Sequence, residues 1–390
     1  MMILDALTAK FNKVYERNDG ELFFSPGRVN LIGEHTDYNG GHVFPCAIAM
    51  GTYALAAKRD DRMVHLHSLN YEDRGVIQAD LPSLYRQREY DWAIYPLGVM
   101  DVMKKDGRPI TGADIVFYGD LPNGAGLSSS ASIEVLTAVI LNDFFKLGLS
   151  PADLARLCQR AENDFVGVAS GPMDQFAVAL GRKDEALLLN CETLEYQYSP
   201  LKLPGCSLVI GYTNKHRQLT DSKYNERRAE CEAALAILQT RQAIKSLCDL
   251  TPEDFAGLAP ALTNPIHLKR ARHVITENQR TIDAARAVKD GDVEFFGRLM
   301  VQSHLSLRDD YEVTGPELDA MVDLALGCPG VLGVRMTGAG FGGCTINLVR
   351  DEFVDRFKTA VAEGYEKAIG YPPAFFKAVP SDGARRVEKV

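Results

Sequence analysis

Apolar residues recur along the chain at two spacings, and these spacings predict which segments form helices and which form strands. Residues 2–18 carry Leu4, Leu7 and Phe11 on one face of an amphipathic helix. The same spacing predicts further helices over 93–106, 128–145, 150–166, 217–240, 267–306 and 316–327. Alternating or short apolar runs predict strands over 21–25, 43–57, 62–69, 113–118, 186–189, 196–198, 207–213, 331–336 and 344–349. The stretches 26–41 and 119–126 are polar and contain glycine, which is typical of loops.

The order of these elements favours an α+β fold. Strands dominate the first half of the chain and helices dominate the second half until its end, whereas a doubly wound parallel sheet would alternate them. A chain of 390 residues is also too long for one ordinary core, so two domains are expected. We place their boundary between residues 195 and 196, which gives domains 1–195 and 196–390.

The charge and the cysteine content exclude several classes of protein. The net charge is −9 and no long basic stripe occurs, so nucleic acid is not an expected partner. No apolar stretch reaches the roughly 18 residues that span a bilayer, and the charged first residues do not form a signal peptide. The eight cysteines are scattered, with no Cys-x-x-Cys pair. We therefore expect a cytoplasmic protein that binds neither nucleic acid nor membranes.

A glycine- and serine-rich loop between a predicted strand and a predicted helix is the first candidate site. Gly124 and Gly126 allow the backbone to approach an anion, and Ser128–Ser130 follow at a helix N-terminus, where unpaired N–H groups attract phosphate. The loop lacks the Gly-Lys-Ser/Thr ending of a Walker loop and the dinucleotide-binding fingerprint. It predicts a phosphate-binding loop of another kind, with a serine-capped helix after a turn as the alternative.

A bound nucleotide would require a divalent cation close to this loop. Mg²⁺ takes oxygen ligands and keeps several waters, so one carboxylate and one hydroxyl suffice. Glu162 and Asp164 both lie on the predicted helix 150–166. The periodicity alone does not choose between them, and both could be solvated acids.

The polar segment 27–41 is the second candidate site. It brings an arginine, acids, a histidine, an asparagine and a tyrosine into one glycine-bounded stretch, with Arg28, Glu34, His35 and Asp37 among them. Each hydroxyl of a sugar needs both a donor and an acceptor, so this composition suits a polyol ligand. The alternative is a solvated loop with one structural arginine.

The third candidate is Asp174, which follows Gly171-Pro172-Met173. An aspartate after Gly-Pro commonly caps a helix, and that role remains open here. As a catalytic group it would need a cation beside it, because a neighbouring guanidinium keeps a carboxylate ionised at neutral pH. An Arg–Asp pair would therefore make a suitable base, although the sequence alone does not show that Arg28 and Asp174 meet.

These segments together resemble the galactokinase family. Gly27–Tyr38 resembles its signature, and 122–132 resembles the phosphate loop of the wider superfamily of small-molecule (GHMP) kinases. Arg335–Cys344 is similar to the third motif of that superfamily, and 212–228 and 380–384 also resemble galactokinase segments. The resemblance covers the whole chain in order. It implies an N-terminal domain like domain 2 of ribosomal protein S5, a C-terminal α+β domain, and an active site in the cleft between them.

The resemblance also implies a reaction and the residues that perform it. The chain would use Mg-ATP to phosphorylate the C1 hydroxyl of galactose, with Asp174 as the base and Arg28 stabilising the transferred phosphoryl group. The remaining implied residues are Glu34, His35, Thr36, Asp37, Gly171 and Tyr224 for galactose; Ser68, Gly124, Ala125, Gly126, Leu127, Ser128, Ser129 and Ser130 for ATP; and Ser130 and Glu162 for Mg²⁺. Glu162 is thus chosen over Asp164 by resemblance. Trp92 would lie near adenine or only pack, and the third motif would be a turn beside the site or a tight hairpin. A monomer is expected, with a dimer as the alternative.

One departure from the family pattern lies beside the implied base. The family usually has Cys-Gly-Ile-Met-Asp where this chain has Ser170-Gly171-Pro172-Met173-Asp174. Because proline fixes its own φ and restricts the residue before it, the carboxylate could shift. A kinase for a related sugar, such as N-acetylgalactosamine or arabinose, is therefore an alternative. A non-catalytic sugar sensor is disfavoured, because the serine-rich loop is complete and both Arg28 and Asp174 are present.

Overall fold

The computed structural model describes residues 2–122, 124–215 and 220–388. Its helices are α1 Met2–Tyr15, α2 Ile94–Lys105, α3 Ser129–Phe144, α4 Pro151–Arg160, α5 Met173–Ala179, α6 Thr220–Gln239, α7 Pro252–Leu258, α8 Pro265–Asp290, α9 Val293–Ser306, α10 Pro316–Leu326 and α11 Val354–Ile369. Its strands are β1 Glu21–Asn30, β2 His42–Val43, β3 Pro45–Lys58, β4 Met63–Ser68, β5 Ile77–Asp80, β6 Ala113–Gly119, β7 Glu185–Asn190, β8 Tyr196–Pro200, β9 Cys206–Tyr212, β10 Val331–Thr337, β11 Cys344–Arg350, β12 Ala374–Lys377 and β13 Arg385–Arg386. The α+β class predicted from the sequence is confirmed.

The N-terminal half is built on a sheet with the order β13–β1–β3–β6–β4–β5. Neighbouring strands are antiparallel, apart from the parallel pair β4 and β6. Helices α2 to α5 cover one face, where Phe117, Leu136 and Phe176 share a core. Leu7 and Phe11 of α1 cover the other face, so the sheet is buried on both sides.

The C-terminal half is built on an antiparallel sheet with the order β10–β11–β9–β12. Helices α10 and α11 pack against one face through residues such as Phe357 and Tyr365. Phe296 and Met300 of α9 join a second core that also includes Val29 and Leu31 of the N-terminal half. A continuous apolar layer therefore fixes the segment after β1 against the C-terminal helices and sheet.

Two of the wrongly predicted element boundaries fall on candidate site residues. The predicted strand 21–25 continues to Asn30, because β3 pairs with it along its whole length and a register shift between Pro26 and Gly27 absorbs the irregularity. Arg28 therefore lies on a strand instead of in a loop. The predicted helix 150–166 is α-helical only to Arg160, and Ala161–Val166 forms a π-helical turn, a feature often found at functional sites.

Other differences concern helix ends and short elements. The predicted helix 267–306 is interrupted at Gly291, whose φ of 78° ends α8 before α9 begins. The predicted helix 217–240 corresponds to α6, Thr220–Gln239, and its residues 217–219 lie outside the described residues. The sequence patterns missed α7, α11, β5, β12 and β13. No helix in the described ranges combines the length and the apolar character needed to cross a membrane.

The predicted domain boundary between 195 and 196 lies inside a small sheet. Strand β8 pairs with β7, with Leu189 opposite Tyr196, and β7 pairs with β2. Residues 196–200 thus pack with the N-terminal half. The chain end also returns there, because Phe23 and Phe24 of β1 pair with β13. The division 1–195 and 196–390 stays a prediction, and the strand pairing favours a boundary after Pro200.

Candidate active site

The structure brings Arg28 and Asp174 together, although 146 positions separate them in the chain. Arg28 is buried on β1, and its Nε and Nη2 lie 2.8 and 2.7 Å from Asp174 Oδ1. Its Nη1 donates a 2.6 Å hydrogen bond to the carbonyl oxygen of Gly126 in the glycine-serine loop. The guanidinium therefore connects the carboxylate of α5 with the loop that precedes α3.

Asp174 does not cap α5. Pro172 occupies the N-cap position, and the aspartate lies in the first turn with its side chain directed at Arg28 and Ser128. Ser128 Oγ donates a 2.5 Å hydrogen bond to Asp174 Oδ2. Ser128 has φ 60° and ψ 51°, and it makes no capping bond to α3. The carboxylate thus has three donors within reach, and Pro172 leaves the pairing with Arg28 in place.

A pair of buried carboxylates lies beside Asp174. Glu162 Oε2, on the π-helical turn, accepts hydrogen bonds from Ser170 Oγ at 2.7 Å and from Gln175 Nε2 at 2.8 Å. Gln175 Nε2 also lies 3.1 Å from Glu134 Oε2 on α3. Burial is the largest cause that raises the pKa of both glutamates, and Asp174 raises both pKa values further. A divalent cation bound beside these buried carboxyl groups would favour their ionised forms.

Ser130 lies close enough to Glu162 for its hydroxyl to lower the pKa of that carboxyl. The hydroxyl and the carboxylate that the resemblance implied for Mg²⁺ are therefore neighbours. Asp164 is exposed. Glu134, which the sequence patterns did not single out, adds a second buried carboxylate behind Glu162.

A cavity of about 830 Å³ opens in front of Asp174. Its lining comes from both halves of the chain, which places it in the cleft between them. The lining residues are Arg28, Glu34, His35, Asp37, Glu162, Gly167, Val168, Ala169, Ser170, Gly171, Met173, Asp174, Tyr224, Asn225, Gly338 and Ala339. Most of the residues implied for galactose are therefore together. We call this space the sugar-side cavity.

Thr36 differs from the other residues implied for galactose. It is fully buried, and its hydroxyl lies 2.8 Å from the carbonyl oxygen of Gly33 and 2.7 Å from that of His42. It does not line the sugar-side cavity. Direct contact between Thr36 and a sugar stays a prediction, and the geometry favours a role in holding the shape of the loop.

Glu34 is held by donors from both halves of the molecule. Its carboxylate accepts hydrogen bonds from Asn30 Nδ2 at 2.8 Å and from the backbone N–H of Gly338 at 2.9 Å, and it pairs with the guanidinium of Arg335. Arg335 is fully buried, and its Nε donates to Ser303 Oγ at 3.1 Å. The sequence patterns assigned Arg335 only to a motif, because its partner lies about three hundred residues away.

His35 is a buried, neutral imidazole at the edge of the sugar-side cavity. Burial lowers its pKa to about 3, with a further contribution from His273. His35 Nδ1 lies 2.8 Å from Tyr38 Oη, and its Nε2 has no hydrogen-bond partner among the residues described. Tyr224 packs against the same ring, with 5.8 Å between the two ring centroids.

Asp37 and Gly171 touch each other in the lining of the sugar-side cavity. A Cβ placed on Gly171 would lie 2.1 Å from Asp37 Oδ2, so the carboxylate occupies the space that any larger residue would need. Burial raises the pKa of Asp37 to about 7, and the negative charge of Asp174 adds to this shift. The pKa of the Asp37 carboxyl group therefore lies near neutral pH.

A second cavity, of about 150 Å³, lies on the other side of the glycine-serine loop. Ser68 and Trp92 line it, together with Ser129 and Ser130 of the loop. Trp92 packs edge-on against Phe117, and its indole Nε1 is buried without a partner in the described part of the chain. Ser130 thus faces this cavity and also contacts Glu162, which lines the sugar-side cavity.

The glycine-rich third motif serves both of the roles considered for it. It joins β10 to β11 as a hairpin, and Gly338 and Ala339 line the sugar-side cavity. A Cβ on Gly338 would lie 3.2 Å from the carbonyl oxygen of Gly126, so the turn packs against the glycine-serine loop. In that loop the side chains of Ala125 and Leu127 are buried in the core, which leaves only their backbone for a ligand.

Comparisons with known proteins agree with this geometry. Residues 9–58 match the galactokinase galactose-binding signature, 95–182 match the GHMP kinases N terminal domain, and 284–367 match GHMP kinases C terminal. The chain is 53% identical to a galactokinase of Clostridium acetobutylicum over 99% of this chain and 100% of that protein. It is 50% identical to a galactokinase of Lactiplantibacillus plantarum over 98% of this chain and 99% of that one.

Solved structures give the same result for the fold. A galactokinase of Lactococcus lactis, solved in complex with galactose, is 46% identical and superposes with a TM-score of 0.96, covering 99% of this chain and 100% of that one. A mevalonate kinase of Methanococcus jannaschii shares the fold alone, at 20% identity and a TM-score of 0.66, over 94% of this chain and 100% of that one. The two-domain GHMP-kinase architecture and full-length identities near one half together establish that this chain belongs to the galactokinase family.

Proposed function

We propose that this chain transfers the γ-phosphoryl group of ATP to the anomeric hydroxyl of galactose, giving galactose 1-phosphate and ADP. The observation that carries the proposal is the position of Asp174. Its carboxylate is fixed by the buried Arg28 and faces a polar cavity of sugar size, while Ser130 and Glu162 connect that cavity with the one beside Trp92. Family membership and the galactose bound to the Lactococcus lactis protein support galactose as the acceptor.

Asp174 would accept the proton of the attacking hydroxyl. An ionised carboxylate offers about four acceptor positions. Arg28 Nε and Nη2 occupy those on Oδ1, and Ser128 occupies one on Oδ2. One position on Oδ2 remains for the sugar hydroxyl. Arg28 also neutralises charge next to the transferred phosphoryl group, which is the main protein contribution to phosphoryl transfer.

The sugar would bind in the sugar-side cavity. Glu34, His35, Asp37, Gly171 and Tyr224 supply carboxylates, an imidazole, a phenol and a bare backbone. Both kinds of hydrogen-bonding partner are therefore available to each hydroxyl. The triphosphate would lie along Gly124–Ser130, with Ser68 and Trp92 toward adenine.

Mg²⁺ is the metal that these residues fit. Ser130 and Glu162 would hold it, and when bound it would neutralise charge between the phosphates. No cluster of three or more His, Cys, Asp or Glu side chains suited to a metal is found in residues 2–122, 124–215 and 220–388. A site with two protein ligands agrees with a cation that is otherwise coordinated by phosphates and water.

The test is a coupled assay of ADP release with galactose, glucose, talose, arabinose and N-acetylgalactosamine. We expect activity with galactose, and we expect Asp174→Ala to lower kcat by roughly 10²–10⁴-fold because the proton acceptor is lost. Asp106→Ala, which removes a surface carboxylate paired with Arg160, is the matched control. Near-normal turnover by Asp174→Ala would overturn the base assignment, and activity on another sugar without galactose would overturn the acceptor.

We also propose a cytoplasmic location, in keeping with buried thiols such as Cys46, Cys158 and Cys231. A monomer is the proposed state, which sedimentation of the purified protein would test. Limited proteolysis would test the two-domain division, with cleavage expected after β8.

A further inference from the structure

A chain of hydrogen-bonding side chains lies beneath the sugar-side cavity and ends on His35. Cys231 Sγ lies 3.1 Å from Tyr311 Oη, which lies 2.8 Å from Tyr38 Oη. Tyr38 Oη in turn lies 2.8 Å from His35 Nδ1. All three links are buried or partly buried. At the far end, His35 Nε2 is buried and makes no hydrogen bond of good geometry within the described residues, although the backbone of Ala339 lies close enough to the ring to raise its pKa. The ring also lines the cavity.

Two directions of donation are possible along this chain. In the first, the thiol donates to Tyr311, Tyr311 to Tyr38, and Tyr38 to His35 Nδ1, so the imidazole proton is on Nε2. In the second, His35 Nδ1 donates to Tyr38, and each hydroxyl donates in turn toward the sulfur. Since a neutral imidazole carries one proton, the direction of the chain decides whether Nε2 offers the ligand a donor or an acceptor.

The number of protons favours the first direction. Cys231 is fully buried, and burial raises the pKa of its thiol to about 12, so the S–H is retained at neutral pH. Tyr311 Oη is the only side-chain acceptor that the described residues place against this sulfur, and the Asn39 amide approaches the sulfur as a donor. In the first direction the thiol proton and both phenol protons have acceptors, and the Nε2 proton faces the cavity beside the backbone of Ala339, which favours a protonated ring nitrogen. In the second direction the thiol proton has none, and a buried donor is left unsatisfied.

The composition of the cavity wall favours the same direction. Asp174 is an acceptor toward a ligand, and Asp37 is another when it is ionised, while the Arg28 guanidinium is already engaged by Asp174 and by the carbonyl oxygen of Gly126. A sugar hydroxyl that donates to a carboxylate still presents its oxygen as an acceptor. A donor on His35 Nε2 would satisfy that oxygen, whereas a second acceptor would not.

We propose that Cys231, Tyr311 and Tyr38 are positioning residues that hold the His35 proton on Nε2, so that His35 donates a hydrogen bond to a hydroxyl oxygen of the sugar. This proposal rests on the proposed function for the identity of the ligand, but the state of the imidazole is a property of the free protein. Tyr38 and Tyr311 therefore influence sugar affinity through His35 without touching the reacting atoms.

The first experiment determines the tautomer directly. Protein labelled with ¹⁵N-histidine is examined at neutral pH by two-bond ¹H–¹⁵N correlation, and the His35 signals are identified by their loss in His35→Gln. We expect a protonated Nε2 and an unprotonated Nδ1. A proton on Nδ1 overturns the proposal. Because no sugar is added, this result is independent of whether the protein phosphorylates galactose.

The second experiment tests the chain itself. Tyr311→Phe removes one hydroxyl and retains the ring, so both tautomers of His35 become accessible. We expect mixed ¹⁵N signals and a KM for galactose raised roughly five-fold, with kcat changed less than about two-fold, as for one lost hydrogen bond. Tyr15→Phe, which removes a hydroxyl bonded to the carbonyl oxygens of His65 and Ile115, is the matched control and is expected to change neither quantity.

The third experiment identifies the role of His35 toward the ligand. At the hydroxyl that His35 contacts, replacement by fluorine retains a weak acceptor and replacement by hydrogen does not. We expect the fluoro sugar to bind better than the deoxy sugar at that one position, and this difference to disappear in His35→Ala. An unchanged tautomer and an unchanged KM in Tyr311→Phe would overturn the role of the chain. Failure of galactose phosphorylation by the unmodified protein would instead overturn the proposed function.

Discussion

Gly171 lies so close to Asp37 that a Cβ on the glycine would be 2.1 Å from Asp37 Oδ2. Gly171→Ala must therefore displace the carboxylate. The atoms nearest to the added Cβ all belong to the Asp37 side chain, so we expect the change to stay local. We expect KM for galactose to rise at least ten-fold, which corresponds to about 1.4 kcal/mol of binding free energy. Steady-state kinetics at saturating ATP measures this KM.

The control for this substitution is Gly257→Ala. Gly257 lies on α7 with no heavy atom within 4 Å of an added Cβ, so the same change should leave KM unaltered and stabilise the helix slightly. Unchanged galactose kinetics in Gly171→Ala would mean that Asp37 is not held against this wall.

Ser170 donates a 2.7 Å hydrogen bond to Glu162 and lowers the pKa of that carboxyl. In Ser170→Ala the pKa of Glu162 should rise, so protons compete more strongly with Mg²⁺ for the carboxylate. We expect the Mg²⁺ concentration for half-maximal rate to increase several-fold near pH 6.5 and less near pH 8. Ser170→Cys, with a weaker donor, should give an intermediate result.

Ser83→Ala is the comparison for this prediction, because Ser83 bonds only to Asp80 at the surface. If Mg²⁺ titrations of Ser170→Ala match those of the unmodified protein at both pH values, Glu162 does not depend on Ser170, and Gln175 and Ser130 position it.

The pKa of Asp37, raised by burial to about 7 from 3.8, makes the stability of the sugar-free protein depend on pH. Between the two pKa values the folded state binds more protons than the unfolded state, so the free energy of unfolding falls as the pH rises toward 7. From about pH 5.5 to about pH 8, the titration of this one group should lower the free energy of unfolding by on the order of 1–2 kcal/mol. Urea unfolding at the two pH values measures this difference in the free energy of unfolding.

Asp37→Asn should lose this part of the pH dependence, since an amide does not titrate. An equal fall in stability for Asp37→Asn and the unmodified protein would assign the effect to other groups. The test requires the absence of galactose, because a sugar hydroxyl donating to Asp37 would stabilise the ionised form.

Trp92 is the only tryptophan in the chain, and it lines the cavity beside Ser129 and Ser130. Tryptophan fluorescence, excited where tyrosine does not absorb, therefore reports on the surroundings of this one side chain. We expect Mg-ADP to change the emission in a saturable manner and galactose to change it little. Trp92→Phe should raise KM for ATP several-fold with KM for galactose nearly unchanged. Emission that responds to galactose and not to nucleotide would reverse the assignment of the two cavities.

The sequence predicted the elements that carry local signals. The glycine-serine loop before α3 and the Ser150-capped helix α4 follow from residues that are close together in the chain. The capping box between Ser150 and Asp153 is formed as its pattern indicates. Long-range pairs had no such signal. The contact of Arg28 with Asp174 depends on how α5 packs against β1, and the contact of Arg335 with Glu34 depends on how the two halves pack. Periodicity encodes neither.

The errors in the sequence analysis have physical reasons. Pro26 and Gly27 suggested that the strand had ended, but pairing with β3 continued it and placed Arg28 on a rigid element. Tyr311 and Glu162 both lie on π-helical turns that an α-helical period cannot describe. The residues around Glu134 in the sequence did not distinguish it from an exposed helix residue. Its burial depends on contact with Gln175 of α5, which is distant in the chain.

Arg335 has a consequence for attempts to recombine members of the family. Its guanidinium reaches from β10 to Glu34 and to the carbonyl oxygens of Asn30 and Leu31, so the sugar-contacting segment is completed by the opposite half. A chimera that joins the first half of one relative to the second half of another would inherit a functional pocket only if this buried contact is recreated. Sugar recognition therefore depends on the contact between the two halves and is not a property of either half alone.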